Sequence, residues 1–433
     1  MRSEHTLSES SRVAQVFVLG LDDHNREVLE ALPDAENYRF HPLLTIEELQ
    51  YGDEIPVQEL LDKAKAELDA FDGTVDAVIG FWDFPVSTMV PLLCSHARTH
   101  CASLESVIKC EHKYWSRLEQ QKVIDEYPAF GLVDPDGDKQ PPEGLRYPMW
   151  VKPVKSFSSD LAFGVEDEDQ FRDALAEISE KIGRVGEPFE VILNRLDLPP
   201  ELAEAGGRAC LVEETMQGQQ VTLEGYVRGD EVHIFGVVDT VNRDDVPSQD
   251  RFQYPSSLPE AAAERMAEVS RRIVRQVGLD NTTFNIEFFW DSDADRIRVL
   301  EVNPRHSQSH AELFANVDGA ANHRAMLELA LGRDPHMPHR QGPHAMAAKW
   351  FLRRLSDGRA TRVPTAEEVA AVESAVPGVT VDVIVSEGER LSELPDQDSY
   401  SYKIANIYIG GADEAELSDK FDRCAEMLTF RFE

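Results

Sequence analysis

Short apolar runs closed by a glycine or a polar turn set the pattern from the start of the chain. Residues 13–19 (VAQVFVL) run into Gly20, a polar turn and a helix-like stretch at 25–32. A second run, 75–80 (VDAVIG), leads through 81–84 into another helical segment. Apolar run, turn, helix, apolar run is the alternation of a parallel sheet with crossover helices. A lone Gly20 falls short of a GxGxxG fingerprint, so a dinucleotide site has little support. Ligands of such sheets sit at the carboxyl ends of strands, which puts Asp22, Asp23, His24 and residues 81–83 at a rim. As single residues they read as ordinary loop polars.

Residues 109–125 have helical spacing, and 134–144, rich in Asp, Pro and Gly, form a loop. From 147 onward short strands alternate with helices: a strand at 150–154, a helix at 168–182, a strand at 210–214. The runs 222–227 and 231–239 alternate in polarity around Arg228, Gly229 and Asp230, a hairpin pattern. Residues 260–277 form a long amphipathic helix closed by Gly278. Two strands, 284–290 and 296–302, are joined by the acidic turn 291–295, and a helix at 322–331 ends at Gly332. The His- and Pro-rich stretch 335–343 reads as a linker, and the chain after it suits a small α+β unit. The expected class is α/β and α+β, with domains at 1–108, 109–334 (a subdomain at about 147–215) and 335–433.

Composition narrows the class without naming the chemistry. A chain of 433 residues suggests about two to four units of roughly 100–200 residues each. The polar N-terminus has no apolar leader core, and no uncharged apolar run nears the ~20 residues of a membrane span, so a soluble, cytoplasmic protein is expected. Five cysteines, odd in number and without a CxxC pair, disfavour structural zinc or a disulfide framework and read as buried or incidental thiols. The formal charge of −37 would repel nucleic acid and anionic membrane. The acid is spread along the chain and Arg outnumbers Lys 31 to 12. That combination resembles proteins adapted to high intracellular salt; the plainer reading is an acidic cytoplasmic enzyme.

The sharpest chemical signal is 284–310, FNIEFFWDSDADRIRVLEVNPRHSQSH. Glu287 interrupts one apolar strand; Glu301 and Asn303, two apart, share a face of the next. The tight turn makes the strands antiparallel neighbours, and counting outward from it brings Glu287 and Glu301 close to opposite each other. Two carboxylates and an amide oxygen form a hard-oxygen cluster suited to Mg²⁺, whose remaining ligands are usually water and phosphate. Arg305, just past the strand end, offers a fork of donors to a phosphate or an acyl phosphate. A solvated hairpin is the alternative, but it leaves the in-register Glu residues unexplained.

The pattern N-x-E…E-x-N-x-R resembles the metal-binding end of the ATP-grasp superfamily, close to its carbamoyl-phosphate-synthetase-like and L-amino-acid-ligase-like branches. The resemblance runs over about 109–332 and implies an ATP-grasp fold with a parallel α/β pre-ATP-grasp domain before it and a small α+β unit after it. Lys113, in CEHKYWSR, matches the first phosphate-contacting lysine and Lys152, in WVKP, the second, on a strand of the lid. The segment 155–164 (KSFSSDLAFG), with Ser156 and Ser158, sits where the family has a flap over the phosphates. CLVEETM (210–216) matches the adenine hinge, through Glu213, Glu214 and Met216. GQQVTLEGYV, from Gly218, resembles the family's G-x-E-x-x-V-E-G-Y segment. Gln220 stands where many relatives carry a Glu that holds ribose or substrate, and the Ser-rich flap, with only Gly164, should be stiffer than a poly-Gly loop.

What the resemblance implies is ATP-dependent ligation: a substrate carboxylate takes the γ-phosphate of ATP to give an acyl phosphate, and an amine then displaces phosphate. The implied cofactors are ATP and Mg²⁺, or Mn²⁺ in its place, with Glu287, Glu301 and Asn303 as metal ligands. The implied partners are a small-molecule carboxylate and amine, with no nucleic acid and no membrane; a homodimer is compatible with similar folds. Arg305 is the expected stabiliser of the transferring phosphoryl group. Ser307 and Ser309 are candidate donors to an acyl-phosphate oxygen, and His306 or His310 a candidate base for the amine, against packing or capping roles for each. Lys349, Arg353 and Arg354 either meet an anionic substrate or balance the acidic surface. The rivals are a bicarbonate-activating, carboxylase-like enzyme, an ATP-binding sensor without turnover, and a structural interaction protein.

Overall fold

The computed structural model describes residues 12–137, 139–156, 161–243, 248–394, 397 and 400–433. The first two apolar runs become β1 (Ala14–Leu19) and β3 (Ala77–Ile79), with β2 (Tyr38–Leu43) joining them in a parallel sheet of order β2-β1-β3. Side-chain alternation loads both faces. Phe17, Leu19 and Val78 pack with Leu60, Leu61 and Met89, whereas Val16, Val18, Ala77 and Ile79 pack on Ala321, Leu327 and Ala330. The helical stretch at 109–125 is two helices, Leu104–Glu111 and Lys113–Gln121. His112 breaks them, its Nδ1 accepting from the Trp115 amide at 3.3 Å as an N-cap.

A four-stranded antiparallel sheet forms the lid: β4 (Phe130–Val133), β5 (Met149–Pro153), β6 (Phe163–Val165) and β7 (Cys210–Glu214), in the order β4-β7-β5-β6. It starts earlier than expected, because β4 pairs with β7 across the loop at 134–144. The helix Glu168–Lys181 sets Phe171, Leu175 and Ile178 against Met149, Val151 and Val212.

The remaining strands are β8 (Gln219–Arg228), β9 (Glu231–Asn242), β10 (Gln249–Tyr254), β11 (Thr282–Asp291), β12 (Arg296–Asn303), β13 (Met346–Arg354), β14 (Ala360–Arg362), β15 (Val379–Val383), β16 (Tyr402–Gly411) and β17 (Arg431–Phe432). Eight of them make one antiparallel sheet, ordered β12-β11-β8-β9-β10-β13-β16-β15; β14 and β17 pair separately. The C-terminal segment therefore does not stand apart. It is α+β as expected, but β13 pairs with β10 and carries the central sheet onward.

Alternation also decides which face of this sheet is chemical. The helix Glu260–Val277 buries Met266, Val269, Ile273 and Val274 against Val221, Leu223, Ile286 and Phe288. Gly278 ends that helix in the left-handed region, φ +77°. Gln220, Thr222, Glu224, Asn285 and Glu287, one residue out of phase, face the other way. On β12 a bulge shifts the phase: Glu287 pairs with Glu301 but Phe288 with Val299, which leaves Leu300 over. Val299 and Val302 both reach the core, and Glu301 and Asn303 share the face of Glu287. Gly218, φ +118°, opens β8 where an added Cβ would stand 2.2 Å from the Trp290 carbonyl oxygen. Among the described residues no helix is long and apolar enough to cross a membrane, and the five cysteines are free.

Candidate functional site

Glu287 and Glu301 are direct cross-strand partners. Burial and the neighbouring Glu301 charge push the Glu287 carboxyl up, against the Gln220 amide, which donates to it at 3.2 Å. Glu301 goes the other way: burial would raise it, but Lys113 and Lys152 outweigh that and hold it low. Asn303 donates through Nδ2 to Asn285 Oδ1 at 2.9 Å, and Asn285 donates to the Arg305 carbonyl at 2.9 Å. Two facing carboxylates, one of them short of positive partners, plus the Asn303 amide oxygen are a donor set that fits Mg²⁺ completed by phosphate and water. No group of three or more His, Cys, Asp or Glu able to hold a metal occurs among the described residues.

Three buried lysines, Lys113, Lys152 and Lys155, place their charges near Glu301, and Lys113 touches it. Lys113 Nζ lies 2.6 Å from Glu301 and donates to the Ser156 carbonyl at 3.0 Å. Its backbone N–H donates to the Val154 carbonyl, which ties the helix start to the lid. Lys152 Nζ pairs at 2.7 Å with Glu213, whose other oxygen accepts from Arg117 Nε at 2.5 Å. Arg117 also donates to the Leu300 carbonyl at 2.7 Å, the oxygen that the β12 bulge frees. Burial would raise Glu213, which is 1% exposed, but Arg117 and Lys152 together hold it low. Lys155 forms a buried ion pair with Glu111. The sequence reading missed Arg117, although it is four residues from Lys113 and so shares its helix face.

Arg305 forks onto Asp83, with Nη2 at 2.8 Å from both carboxylate oxygens. Asp83 follows β3, so the rim of the parallel sheet does reach the site. Burial works against the Arg305 charge, but Asp83 outweighs it. The imidazoles of the following loop lie elsewhere. His306 is 0% exposed, with Nδ1 at 3.0 Å from Thr283 Oγ1; burial drives its pKa well below the usual value and keeps it neutral. His310 is 2% exposed and its Nδ1 sits 2.7 Å from Glu224, which also accepts from Asn322 Nδ2 at 2.9 Å. Both are enclosed and help fold the 305–310 turn, and the Nε2 of each ring is buried without a hydrogen-bond partner among the described residues. Ser309 contacts Gln308 Oε1 at 3.2 Å and Lys349 Nζ at 3.3 Å.

Other expected residues are placed as follows. Ser156 is buried beside Lys113, and Ser158 lies outside the described residues. Glu214 is half-buried, 3.7 Å from Arg298, and Met216, also half-buried, follows β7 on the way into β8. A cleft of about 860 Å³ opens between residues 53–59 and 180–191, with Lys155 and Ser156 in its wall; Glu287 and Glu301 do not line it.

Residues 145–312 match the family described as the ATP-grasp domain. Over 156 residues the chain is 27% identical to the carbamoyl phosphate synthase large chain of Thermoanaerobacter pseudethanolicus, covering 36% of this chain and 14% of that one. Over 76 residues it is 34% identical to the carbamoyl phosphate synthase large chain of Arthrobacter sp., covering 18% and 7%. The chain thus matches only a small part of these relatives. An L-amino acid ligase from Bacillus licheniformis superposes with a TM-score of 0.72 at 14% identity, over 98% of this chain and 100% of that one. A biotin carboxylase from Campylobacter jejuni does so with a TM-score of 0.62 at 13% identity, over 98% and 93%. At such identities the likeness is one of fold, and the fold is ATP-grasp.

Proposed function

From the premise that residues 145–312 form an ATP-grasp domain, we propose that the protein is an ATP-dependent carboxylate–amine ligase that releases ADP and phosphate. The observation that supports this most is the Glu287–Glu301 pair with Lys113 on Glu301 and Asn303 on the same face. In this reading Glu287, Glu301 and Asn303 hold Mg²⁺, which neutralises charge on the phosphate oxygens. Lys113 and Lys152 bind those phosphates. Arg117 and Glu213 act behind them: Glu213 fixes the Lys152 ammonium, and Arg117 fixes Glu213 and the bulged strand together. Glu213 and Glu214 are paired with strands on both sides, so the backbone at Met216, just past β7, is the part of this segment proposed to meet the adenine edge, with Gln220 and Ser156 beside the nucleotide.

The substrate carboxylate attacks the γ-phosphorus, ADP leaves, and the amine displaces phosphate from the acyl phosphate. Such transfers depend on positioning and charge stabilisation rather than on covalent help from the protein. Arg305, already oriented by Asp83, supplies fixed donors to the transferring group. Of the two loop serines, Ser307 is proposed to donate to the acyl phosphate, whereas Ser309, 3.3 Å from Lys349 Nζ, meets the substrate farther along the sheet. His306 and His310 lie beneath this loop, held by Thr283 and Glu224.

The test is ADP release from the purified chain with Mg²⁺-ATP in molar KCl, across carboxylates, amines and bicarbonate, with Glu301→Gln as control. Release that needs a carboxylate–amine pair and is abolished in the control supports the ligase. A bicarbonate requirement would move the assignment to a carboxylase-like enzyme, and ATP binding without turnover to a sensor.

A further inference from the structure

Lys349 is 6% exposed, on β13. The other buried lysines each meet a carboxylate: Lys113 meets Glu301, Lys152 Glu213, Lys155 Glu111 and Lys420 Glu416. Lys349 has none in ion-pair range among the described residues. Its Nζ has the Ser309 hydroxyl at 3.3 Å and the rings of Tyr408 and Phe351 at 5.2 and 5.6 Å. A buried ammonium so placed is held at a cost unless an anion joins it. Burial lowers its pKa to about 8, with Lys403 adding to the effect and Glu312 and Asp382 opposing it from beyond ion-pair range.

Its place on the sheet says where that anion would sit. Cross-strand pairing runs Gln220–Thr240–Phe252–Lys349–Tyr408, so Lys349 shares the face of Gln220, the residue bonded to Glu287. Three strand spacings separate Gln220 from Lys349, about 14 Å along the sheet. The loop that begins at Arg305 spans this interval and delivers Ser309 to Lys349. His24, from the rim of the parallel sheet, closes the far side: it stacks on Tyr408 at 5.6 Å and lies 2.5 Å from Glu312. Glu287 lies one strand further on, about 19 Å along the sheet from Lys349, which sets an anion on Lys349 apart from one beside the Glu287–Glu301 pair. One ammonium and one hydroxyl, with Glu312 and Asp382 nearby and Arg353 engaged by the Gln249 carbonyl and Ser401, suit a monoanion better than a phosphate.

We propose that Lys349 and the Ser309 hydroxyl bind a second, non-reacting carboxylate of a substrate and so select for substrates that carry one. The inference rests on the ligase reading for the word substrate, but its binding test does not. The probes are α-amino acids and dicarboxylates, each compared with the derivative in which one carboxylate is an amide. Binding to the full chain is measured by calorimetry with Mg²⁺ and a non-hydrolysable ATP analogue.

At least one acid should bind the wild type about tenfold or more tightly than its amide. Lys349→Met should erase that preference, and Lys349→Arg should keep part of it. If Lys349→Met fails to fold, as judged by melting, Ser309→Ala serves instead and should reduce the preference. No acid–amide preference in the wild type, or a preference that survives Lys349→Met, overturns the inference. ADP release over the same probes separates the two ideas. A Lys349-dependent preference without ADP release sinks the ligase and leaves the anion site; ADP release equal for acids and amides does the reverse.

Discussion

Replacing Glu213 by Gln tests the layer behind the phosphate-binding lysines. The carboxylate is 1% exposed and sits 2.5 Å from Arg117 Nε and 2.7 Å from Lys152 Nζ. Removing its charge leaves two buried cations, and breaking a buried pair costs about 3–5 kcal/mol. Glutamine keeps the shape and one acceptor, so the lower end, about 3 kcal/mol, is expected. Urea unfolding of both proteins at one high salt concentration reads this as a lower midpoint with an unchanged slope. The pH dependence has a fixed sign. The folded Glu213 pKa is held below its usual 4.5, so its contribution is complete above that value and is lost as pH falls through the folded pKa. The gap between wild type and Glu213→Gln should therefore be constant near neutrality and close only in acid. Mg²⁺-ATP affinity should fall about tenfold or more, equal to ~1.4 kcal/mol, because Lys152 loses its anchor. In a cycle with Lys152→Met the coupling should be ~1–3 kcal/mol. A change under ~0.5 kcal/mol with unaltered nucleotide affinity would refute the positioning role.

Arg305→Lys should lower kcat by roughly 10²-fold with little change in nucleotide affinity, since one ammonium cannot reproduce the fork held on Asp83; steady-state kinetics checks this. His112 is buried with its pKa lowered from 6.5 to about 4, so the unfolded chain takes up a proton between those values that the folded chain does not. Relative to His112→Asn, which can still cap the helix, the wild type should lose up to ~1.4 kcal/mol per pH unit over that window and nothing above it, read from unfolding midpoints. Gly218→Ala should destabilise by ~3 kcal/mol or more, because its Cβ would meet the Trp290 carbonyl oxygen at 2.2 Å from a positive φ; thermal melting reports it.

Much of the site was legible because it lies on two strands joined by one turn. Counting outward from residues 291–295 finds Glu287 opposite Glu301, and the structure pairs them. The helix to Val277 and its glycine stop were legible for the same local reason. The bulge at Leu300 was not, since pattern alone does not say where a strand gains a residue; yet that bulge turns Glu301 to the chemical face and frees the carbonyl that Arg117 takes. The setting of the two histidines was not legible, because residue type and spacing do not say which way a loop side chain points, and Thr283 and Glu224 draw both rings inward. The pairing of β10 with β13 joins segments almost a hundred residues apart, and nothing near Lys349 in the sequence reveals it. Asp83 was placed at a rim, but its partner Arg305 lies 222 residues away.

The central claim is tested most directly by following oxygen. With a carboxylate–amine pair that supports ADP release, the carboxylate is supplied labelled with heavy oxygen and the released phosphate is analysed by mass spectrometry. Activation through an acyl phosphate predicts one labelled oxygen in each phosphate, the other remaining in the amide product. Phosphate that leaves unlabelled while the amide forms would contradict the account.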